Sequence, residues 1–328
     1  MNTIKKLLCA ALALLLLGAP ALAEELPAFG VCIYDGTDTF MASLRLHLET
    51  YAHGKARLTV YDSRNDQNLQ NDQVEGMLEA GADVLIINPV DRLAAGYLIE
   101  KARKRQTPVL FVNKEPLLED LLLYEHAFYV GADGAQSGRL SGEILAEYFL
   151  AHPEADKNGD GTVQYVLIKG EPGHQDALLR TEYSVKTLTQ AGVATEKLAN
   201  DTANWQRGQA AARMQLWLEE FGGQIEAVFA NNDDMALGAI DACTEAGLDK
   251  SSLPFIVGVD ATPPAMEALR EGTLEGTVRN DAVGLAESLI SMAVSLSSEG
   301  TPPQGMEVTD GSYVWLRYEA VTAEQSEG

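Results

Sequence analysis

The sequence is poor in cysteine, in basic residues and in long apolar runs. It has 3 cysteines in 328 residues, 24 Lys and Arg against 48 Asp and Glu, and a formal net charge of −24. So acidic a surface repels nucleic acid and anionic membranes, which argues against nucleic-acid-binding proteins as a class. The G-x-S-x-G, H-E-x-x-H and P-loop patterns are missing too. The sequence therefore lacks the common signatures of serine hydrolases, zinc proteases and nucleotide-binding enzymes.

The one long apolar run lies at the N-terminus and has the layout of a secretory signal peptide. Lys5 and Lys6 precede an apolar run over 7–17, and the segment Ala-Leu-Ala at 21–23 offers a cleavage site. The run is too short to span a bilayer. We therefore predict that residues 1–23 are a cleaved signal peptide and that the chain is exported. Loss of the two lysines changes the formal charge from −24 to −26.

The chain that remains after cleavage keeps two cysteines, Cys32 and Cys243. Export permits a disulfide, but the wide separation favours two buried free thiols. A length of about 305 residues exceeds what one hydrophobic core usually serves, so we expect two domains.

Strand-like and helical runs alternate along almost the whole exported chain, which is typical of βαβ units. We predict strands at 29–34, 58–62, 84–88, 109–113, 163–169, 226–231, 255–260 and 274–279. Helical runs lie between them, at 41–53, 68–80, 93–105, 140–149, 177–190, 207–221, 235–245 and 282–296. The predicted fold class is α/β with doubly wound parallel sheets, in which ligands bind beyond the carboxyl ends of the strands. Amides and carboxylates gather at those ends.

Residues 156–164 read DKNGDGTVQ and match the first nine positions of an EF-hand calcium loop. The ligand positions 1, 3, 5, 7 and 9 are occupied by Asp156, Asn158, Asp160, Thr162 and Gln164. Position 12, which holds a bidentate glutamate in EF-hands, is Leu167. An apolar, β-branched run replaces the second helix. A calcium site here therefore needs a carboxylate from another segment.

Nine short blocks carry a more specific signal than the composition does. They are YDGTDTFM at 34–41, NDQNLQNDQ at 65–73, NKEP at 113–116, DKNGDGTVQ at 156–164, KGEPGHQDALLR at 169–180, TANW at 202–205, EAVFANND at 226–233, GVDATP at 258–263 and GTVRNDA at 276–282. In this order they resemble the glucose/galactose-binding branch of the periplasmic binding proteins. The resemblance covers nearly the whole exported chain, from about residue 29 to about residue 318.

The resemblance implies the type I architecture of that family, in which two lobes are joined by three crossings. We place these crossings near 133–134, 279–280 and 313–316. The first lobe then comprises residues 24–133 plus 280–314, and the second lobe comprises 134–279 plus 315–328. A hinge of this kind lets the lobes close around a ligand.

The resemblance also implies a pyranose bound between the lobes. Phe40 and Trp205 match the aromatic pair that sandwiches the sugar ring. The hydroxyl partners match Asp38, Asn88, His174, Asp176, Arg180, Asn232, Asp260 and Asn280. The match makes chemical sense, because sugar hydroxyls donate and accept hydrogen bonds around the ring edge, while the faces carry C–H groups suited to aromatic rings.

Each of these residues also has a simpler explanation. Asp176 and Arg180 stand four apart, so an intrahelical ion pair is the default. Asn232 and Asn280 have residue types common in turns and helix caps, and lone aromatic residues usually belong to a core. We favour the sugar site because all the positions match together. Pro89 and Gln175, which flank predicted contacts, depart from the family pattern.

For the calcium loop, the resemblance supplies the missing ligand as Glu226. The predicted ligands of a structural Ca²⁺ are then the side chains of Asp156, Asn158, Asp160, Gln164 and Glu226 and the backbone carbonyl of Thr162. Oxygen ligands with three carboxylates suit such a hard cation. Metal and sugar are expected at opposite ends of the second lobe.

The resemblance implies a monomeric, non-enzymatic protein that captures D-glucose or D-galactose in the periplasm and delivers it to an ABC importer. Presentation of the loaded form to a chemoreceptor is compatible with this role. The alternative is an exported, glycosidase-like enzyme, since Asp38, Asp176 and Asp260 could supply a carboxylate pair. A sugar-responsive repressor is disfavoured, because a signal peptide stands where a basic helix-turn-helix belongs.

Overall fold

The structure, a computed structural model, describes residues 25–323, and the predicted signal peptide lies outside the described residues. Residues 25–323 form twelve strands in two six-stranded sheets, together with ten α-helices. Both sheets are almost entirely parallel, with helices packed on both faces. The predicted α/β class with two doubly wound sheets is therefore confirmed.

The first sheet has the strand order β11-β5-β4-β3-β1-β2, and all its pairings are parallel. Its strands are β1 (Ala28–Ile33), β2 (Arg57–Asp62), β3 (Val84–Ile87), β4 (Val109–Val112), β5 (Ala127–Ala132) and β11 (Tyr313–Leu316). Successive side chains point to opposite faces, so Val31 and Ile33 lie in one core and Cys32 in the other. The first core is covered by α1 (Thr39–Ala52) and α10 (Ala282–Glu299), and the second by α2 (Gln67–Glu79), α3 (Ala95–Lys104) and α4 (Leu118–Leu121).

The second sheet has the strand order β12-β10-β9-β8-β6-β7. Its strands are β6 (Val163–Lys169), β7 (Thr195–Thr202), β8 (Ala227–Ala230), β9 (Phe255–Val257), β10 (Gly276–Arg279) and the antiparallel edge strand β12 (Glu319–Thr322). Its helices are α5 (Gly134–Ala151), α6 (Gln175–Gln190), α7 (Arg207–Phe221), α8 (Asp233–Glu245) and α9 (Pro263–Glu271). Val166 and Ile168 of β6 pack with α7 and α8, whereas Tyr165 and Leu167 pack with α5.

The chain passes between the sheets three times, and the third crossing differs from its predicted position. The predicted division at 314/315 falls inside β11, which pairs with β5 along all four of its residues. Those hydrogen bonds hold Trp315 and Leu316 in the first sheet, so the chain crosses at residues 317–318. We call the unit built on the first sheet the first lobe, and the unit built on the second sheet the second lobe.

Each of the eight predicted strands overlaps an observed one, but the prediction omits β5, β7, β11 and β12. Both cysteines are buried and free, as predicted. Cys32 lies in β1 and Cys243 in α8, on different lobes. Within residues 25–323, no helix combines the length and the apolar character needed to cross a membrane.

Candidate functional site

The two lobes face each other across a cavity at the carboxyl ends of their strands. The cavity is lined by Tyr34, Asp38, Phe40 and Asn113 of the first lobe and by His174, Asp176, Arg180, Trp205, Asn232 and Asp260 of the second. Each of these residues follows a strand or lies in the first turns of the helix after it. Parallel strands end at one edge of a sheet, which is why residues so distant in sequence meet here.

Eight of the ten residues predicted to contact the sugar line this cavity, and two do not. Asn280 lies beside it, with its Nδ2 3.4 Å from Oδ1 of Asp260. Asn88 is completely buried, and its side-chain oxygen and nitrogen are both hydrogen-bonded to other residues. Its Oδ1 accepts from the backbone N–H of Tyr34, and its Nδ2 donates to the backbone carbonyl of Val112 and to Oδ1 of Asn113.

Asn113, not Asn88, is the amide that the first lobe presents to the cavity. It directly follows β4 and has a φ of 64°, a left-handed conformation that asparagine tolerates better than most residues. Asn88 holds the Asn113 side chain at 3.0 Å. The prediction of Asn88 as a contact is therefore wrong, and its role is to orient the residue that reaches the cavity. The sequence offered a signal, since Asn113 begins the block NKEP.

Tyr34 is a second lining residue that the sequence prediction missed. Its hydroxyl donates to Oδ2 of Asp38 at 2.7 Å. Oδ1 of Asp38 accepts from the backbone N–H of Met41 at 2.8 Å and caps α1. Both oxygens of Asp38 are therefore fixed before any ligand arrives. Tyr34 lies one residue beyond β1, and, like Asn113, it begins one of the nine blocks, YDGTDTFM at 34–41.

The predicted aromatic pair lines the cavity from both lobes, with Phe40 in the first and Trp205 in the second, and Tyr34 adds another ring from the first lobe. Phe40 lies in the first turn of α1. The Trp205 ring packs over the backbone of Gly170, where a Cβ atom would come within 2.1 Å of the indole. Only glycine leaves room for the ring at that position. The two aromatic residues thus reach the cavity from opposite lobes, an arrangement suited to holding a flat ligand with apolar faces.

Arg180 is the central cation of the cavity and is almost fully buried. Every nitrogen of its guanidinium donates a hydrogen bond, with acceptors Oγ of Ser137 at 3.1 Å, the carbonyl of Asn231 at 2.8 Å, and Oδ2 of Asp176 and the hydroxyl of Tyr318 at 3.0 Å each. The intrahelical ion pair with Asp176 exists as the simpler explanation proposed, and both partners also line the cavity. Tyr318 belongs to the third crossing, so Arg180 links the cavity to the hinge.

The carboxyl groups of the cavity have raised pKa values. Burial is the largest cause at Asp38, Asp176 and Asp260. Arg180 opposes the rise in the pKa of Asp176 and of Asp260. Burial disfavours the ionised form, and a nearby cation favours it. The guanidinium is therefore what allows two buried carboxylates to share one site.

The environment of His174 favours a neutral imidazole. Burial lowers the pKa of its imidazole well below the usual range, and the charges of Lys114, Arg180 and Arg92 add to that effect. Its Nδ1 accepts from the backbone N–H of Asp176 at 3.2 Å and caps α6. A neutral ring that accepts at Nδ1 carries its proton on Nε2. That N–H is free to face a ligand hydroxyl.

Outside the cavity, three side-chain contacts between described residues join the lobes. Lys114 forms an ion pair with Glu171, in which both side chains are largely buried. Nε2 of Gln175 donates to Oε2 of Glu115 at 2.8 Å. Oγ1 of Thr39 donates to Oδ2 of Asp234 at 2.5 Å. The structure is therefore in a closed state, and Gln175, one of the departures from the family pattern, makes a contact across the cleft.

The predicted calcium loop wraps around Glu226. Oε1 of Glu226 accepts from the backbone N–H of Lys157 at 2.5 Å, and Oε2 accepts from that of Gln164 at 3.0 Å. The oxygens of Asp156 and Asp160 accept from backbone and amide groups of the same loop. Within residues 25–323, no three His, Cys, Asp or Glu side chains converge as ligands of one ion. The predicted donors are nevertheless all oxygens, and Glu226 lies against the loop that holds the others, which fits a hard cation.

Comparison with known proteins identifies the family to which the chain belongs. A family model described as periplasmic binding protein domain matches residues 29–301. The chain is 40% identical over 286 residues to the D-galactose/methyl-galactoside binding periplasmic protein of Haemophilus influenzae, covering 86% of this chain and 83% of the relative. It is 34% identical over 296 residues to a putative rhizopine-binding protein of Rhizobium meliloti, covering 89% and 91%.

Solved structures agree with this relationship. An ABC transporter solute binding protein from Bacillus halodurans with bound myo-inositol superposes with a TM-score of 0.78 at 28% identity, covering 94% of this chain and 98% of that one. These relatives are solute-binding proteins rather than enzymes, so the prediction of a non-enzymatic protein is confirmed and the glycosidase-like alternative falls away. By sequence and by fold, the chain belongs to the periplasmic binding protein family.

Proposed function

We propose that the protein binds D-glucose or D-galactose in the periplasm and delivers it to an ABC importer. The observation that carries this proposal is the cavity between the lobes, which combines aromatic rings from both lobes with carboxyl groups, amides and one arginine. A pyranose has this double character, with hydroxyls around its edge and C–H groups on its faces. The relatives support a polyol or sugar, since their names include galactose, rhizopine and myo-inositol.

The residues divide the work of binding by their chemistry. The carboxylates of Asp38, Asp176 and Asp260 accept from sugar hydroxyls. Arg180 and Nε2–H of His174 donate to them, and Asn113 can do both. Because both lobes contribute, the full set of contacts forms only when the lobes close. The sugar thereby stabilises the closed form. An importer or a chemoreceptor recognises the surface of that form.

Calorimetric titration of the mature protein tests the assignment. We expect D-glucose or D-galactose to bind with a dissociation constant of about 1 μM or below, and D-ribose and myo-inositol to bind at least tenfold more weakly. Trp205→Ala serves as the loss-of-function variant, and Trp217→Phe, a core position, as the control. Binding of myo-inositol alone would reassign the ligand, and heat from none of the four would remove the sugar-binding proposal.

A second prediction concerns the ion pair between Lys114 and Glu171. Glu171→Gln is expected to raise the dissociation constant for the sugar about tenfold. The pair is largely buried in the closed state, whereas both groups are free to hydrate when the lobes open, so its loss disfavours closure. Titration calorimetry measures the affinity, and the melting temperature without sugar should barely change.

The matched control is Glu267→Gln, which removes an exposed ion pair with Arg270 in the second lobe. Exposed pairs contribute about 0–1 kcal/mol, so this variant should bind sugar normally. An unchanged affinity in Glu171→Gln would show that the pair has no part in closure.

We further propose that the loop at 156–164 binds a structural Ca²⁺. The side chains of Asp156, Asn158, Asp160, Gln164 and Glu226 and the carbonyl of Thr162 supply the ligands. Support comes from the EF-hand spacing and from the position of Glu226, which lies against the loop although it is distant in sequence. Binding requires the loop amides to turn their oxygens toward the ion. The ion would tie the loop to the start of β8 and so stabilise the second lobe.

A further inference from the structure

Asp260, a cavity residue, has a backbone conformation that aspartate rarely adopts. Its φ is 122°, and that of Ala261 is 53°. Two consecutive non-glycine residues with positive φ are strained, and such strain persists only where the surroundings hold it. Asp260 lines the cavity from this turn. What holds the turn therefore decides where the Asp260 carboxylate lies.

Asp233 bonds the chain on both sides of the strained turn. Its backbone N–H donates to the carbonyl of Val259 at 2.8 Å. Its Oδ2 accepts from the backbone N–H of Thr262 at 2.7 Å. The two residues with positive φ lie between these two bonds. Asp233 is completely buried at the start of α8 and does not line the cavity.

A second connection runs through Thr277 of β10. Oδ1 of Asp233 accepts from the Thr277 hydroxyl at 2.6 Å, and that hydroxyl oxygen accepts from the backbone N–H of Ala261 at 3.3 Å. The carboxylate has room because residue 258 is glycine, since a Cβ there would lie 2.3 Å from Oδ1 of Asp233. All these contacts converge on the turn at 260–261.

We propose that Asp233 is a positioning residue for sugar binding, which fixes the strained turn and thereby aims the Asp260 carboxylate into the cavity. This inference rests on the proposed function, because Asp260 contacts sugar only if the cavity binds sugar. A buried carboxyl group beside a second one raises the free energy of the folded state unless hydrogen bonds offset the cost. The carboxyl group of Asp233 bonds the turn directly at Thr262 and indirectly through Thr277.

The test compares Asp233→Ala with its conservative counterpart. Asp233→Ala should raise the dissociation constants for D-glucose and D-galactose about 10- to 100-fold. Asp233→Asn retains an oxygen for the N–H of Thr262 and should recover most of the affinity. Asp249→Ala is the control, because Asp249 is another hydrogen-bonded aspartate of the second lobe, which accepts from the hydroxyls of Ser251 and Ser252 and does not line the cavity.

Two further readouts separate positioning from stability. In a protein that already carries Asp260→Ala, adding Asp233→Ala should raise the dissociation constant less than about threefold, because the carboxylate that Asp233 positions is gone. Hydrogen exchange at Ala261 and Thr262 should accelerate about tenfold or more without any sugar. If Asp233→Ala does not fold, Thr277→Val tests the same connection with the carboxylate in place.

The outcomes are distinct. Additive losses in the double variant, or unchanged exchange at residues 258–262, would overturn the positioning role. The exchange measurement needs no ligand. It therefore tests the turn even if neither sugar binds the wild-type protein, a result that would instead remove the proposed function.

Discussion

Replacement of Arg180 by methionine is expected to abolish sugar binding and to lower the free energy of unfolding by about 3–5 kcal/mol. Methionine occupies a similar volume but makes none of the hydrogen bonds of the guanidinium. Asp176 and Asp260 then remain as buried carboxylates whose main cationic neighbour is gone. A buried ion pair contributes little by itself, whereas removal of one partner leaves an uncompensated charge. The decrease in the free energy of unfolding should therefore be several times that caused by loss of a surface contact.

The same variant should regain stability as the pH falls. Arg180 opposes the rise that burial causes in the pKa values of Asp176 and Asp260, so its removal raises both pKa values further. A carboxyl group whose pKa is higher in the folded than in the unfolded state binds its proton more tightly when folded. Protonation then stabilises the folded variant, and the penalty is largest above the folded pKa. Urea unfolding at about pH 7 and about pH 5 measures the difference.

Two control variants isolate the cause. Arg180→Lys retains the charge but not the planar fork, and is expected to keep most of the stability while losing affinity. Arg207→Met removes an exposed ion pair with Asp241 and should change the free energy of unfolding by about 1 kcal/mol or less. A stable Arg180→Met protein with wild-type sugar affinity and no pH dependence would contradict the central role of the guanidinium.

Removal of Ca²⁺ with EDTA is expected to lower the melting temperature by about 5–10 °C. At a Ca²⁺ concentration of about 100 times its dissociation constant, binding to the folded state contributes about 2.7 kcal/mol. Sugar affinity should change little, because β6, a strand of seven residues, separates the loop from the cavity by roughly 20 Å. Thermal unfolding and calorimetry, each with and without EDTA, measure the two effects.

Glu226→Gln provides the matched variant for the metal, because it removes the carboxylate charge and keeps the size. Its melting temperature should no longer respond to EDTA. Glu154→Gln, an exposed glutamate just before the loop, should respond as the wild type does. Identical melting of the wild type with Ca²⁺ and with EDTA would contradict the calcium proposal.

The fold class and most of the cavity could be predicted because both depend on patterns of residue types along the sequence. A buried parallel strand is a short run of apolar residues, such as VLII in β3. Such a run predicts the strand from the sequence alone. The edge strand β7 reads TEKLANDT and is half-exposed, so its place comes from pairing with β6 rather than from its own composition. The four-residue strands β11 and β12 depend on tertiary pairing in the same way.

The error at Asn88 has a specific physical origin. Asn88 and Asn113 both follow buried strands, and the sequence does not reveal which amide faces the cavity and which supports it from behind. The hydrogen bond between them at 3.0 Å decides the question. Helix capping and a place in the cavity coincide at three residues. The residues that cap a helix and also line the cavity are Asp38, His174 and Asn232. Capping a helix is therefore compatible with the predicted sugar contact at these residues.

The late position of β11 in the chain affects how the protein matures. This strand completes one edge of the first sheet, beside β5, but it follows the entire second lobe in the sequence. Until it arrives, β5 presents an unpaired row of backbone groups, which is a template for aggregation. Contacts between such distant segments form slowly. The first lobe therefore cannot finish folding before β11 is in place, and loss of β11 would damage the lobe that begins the chain.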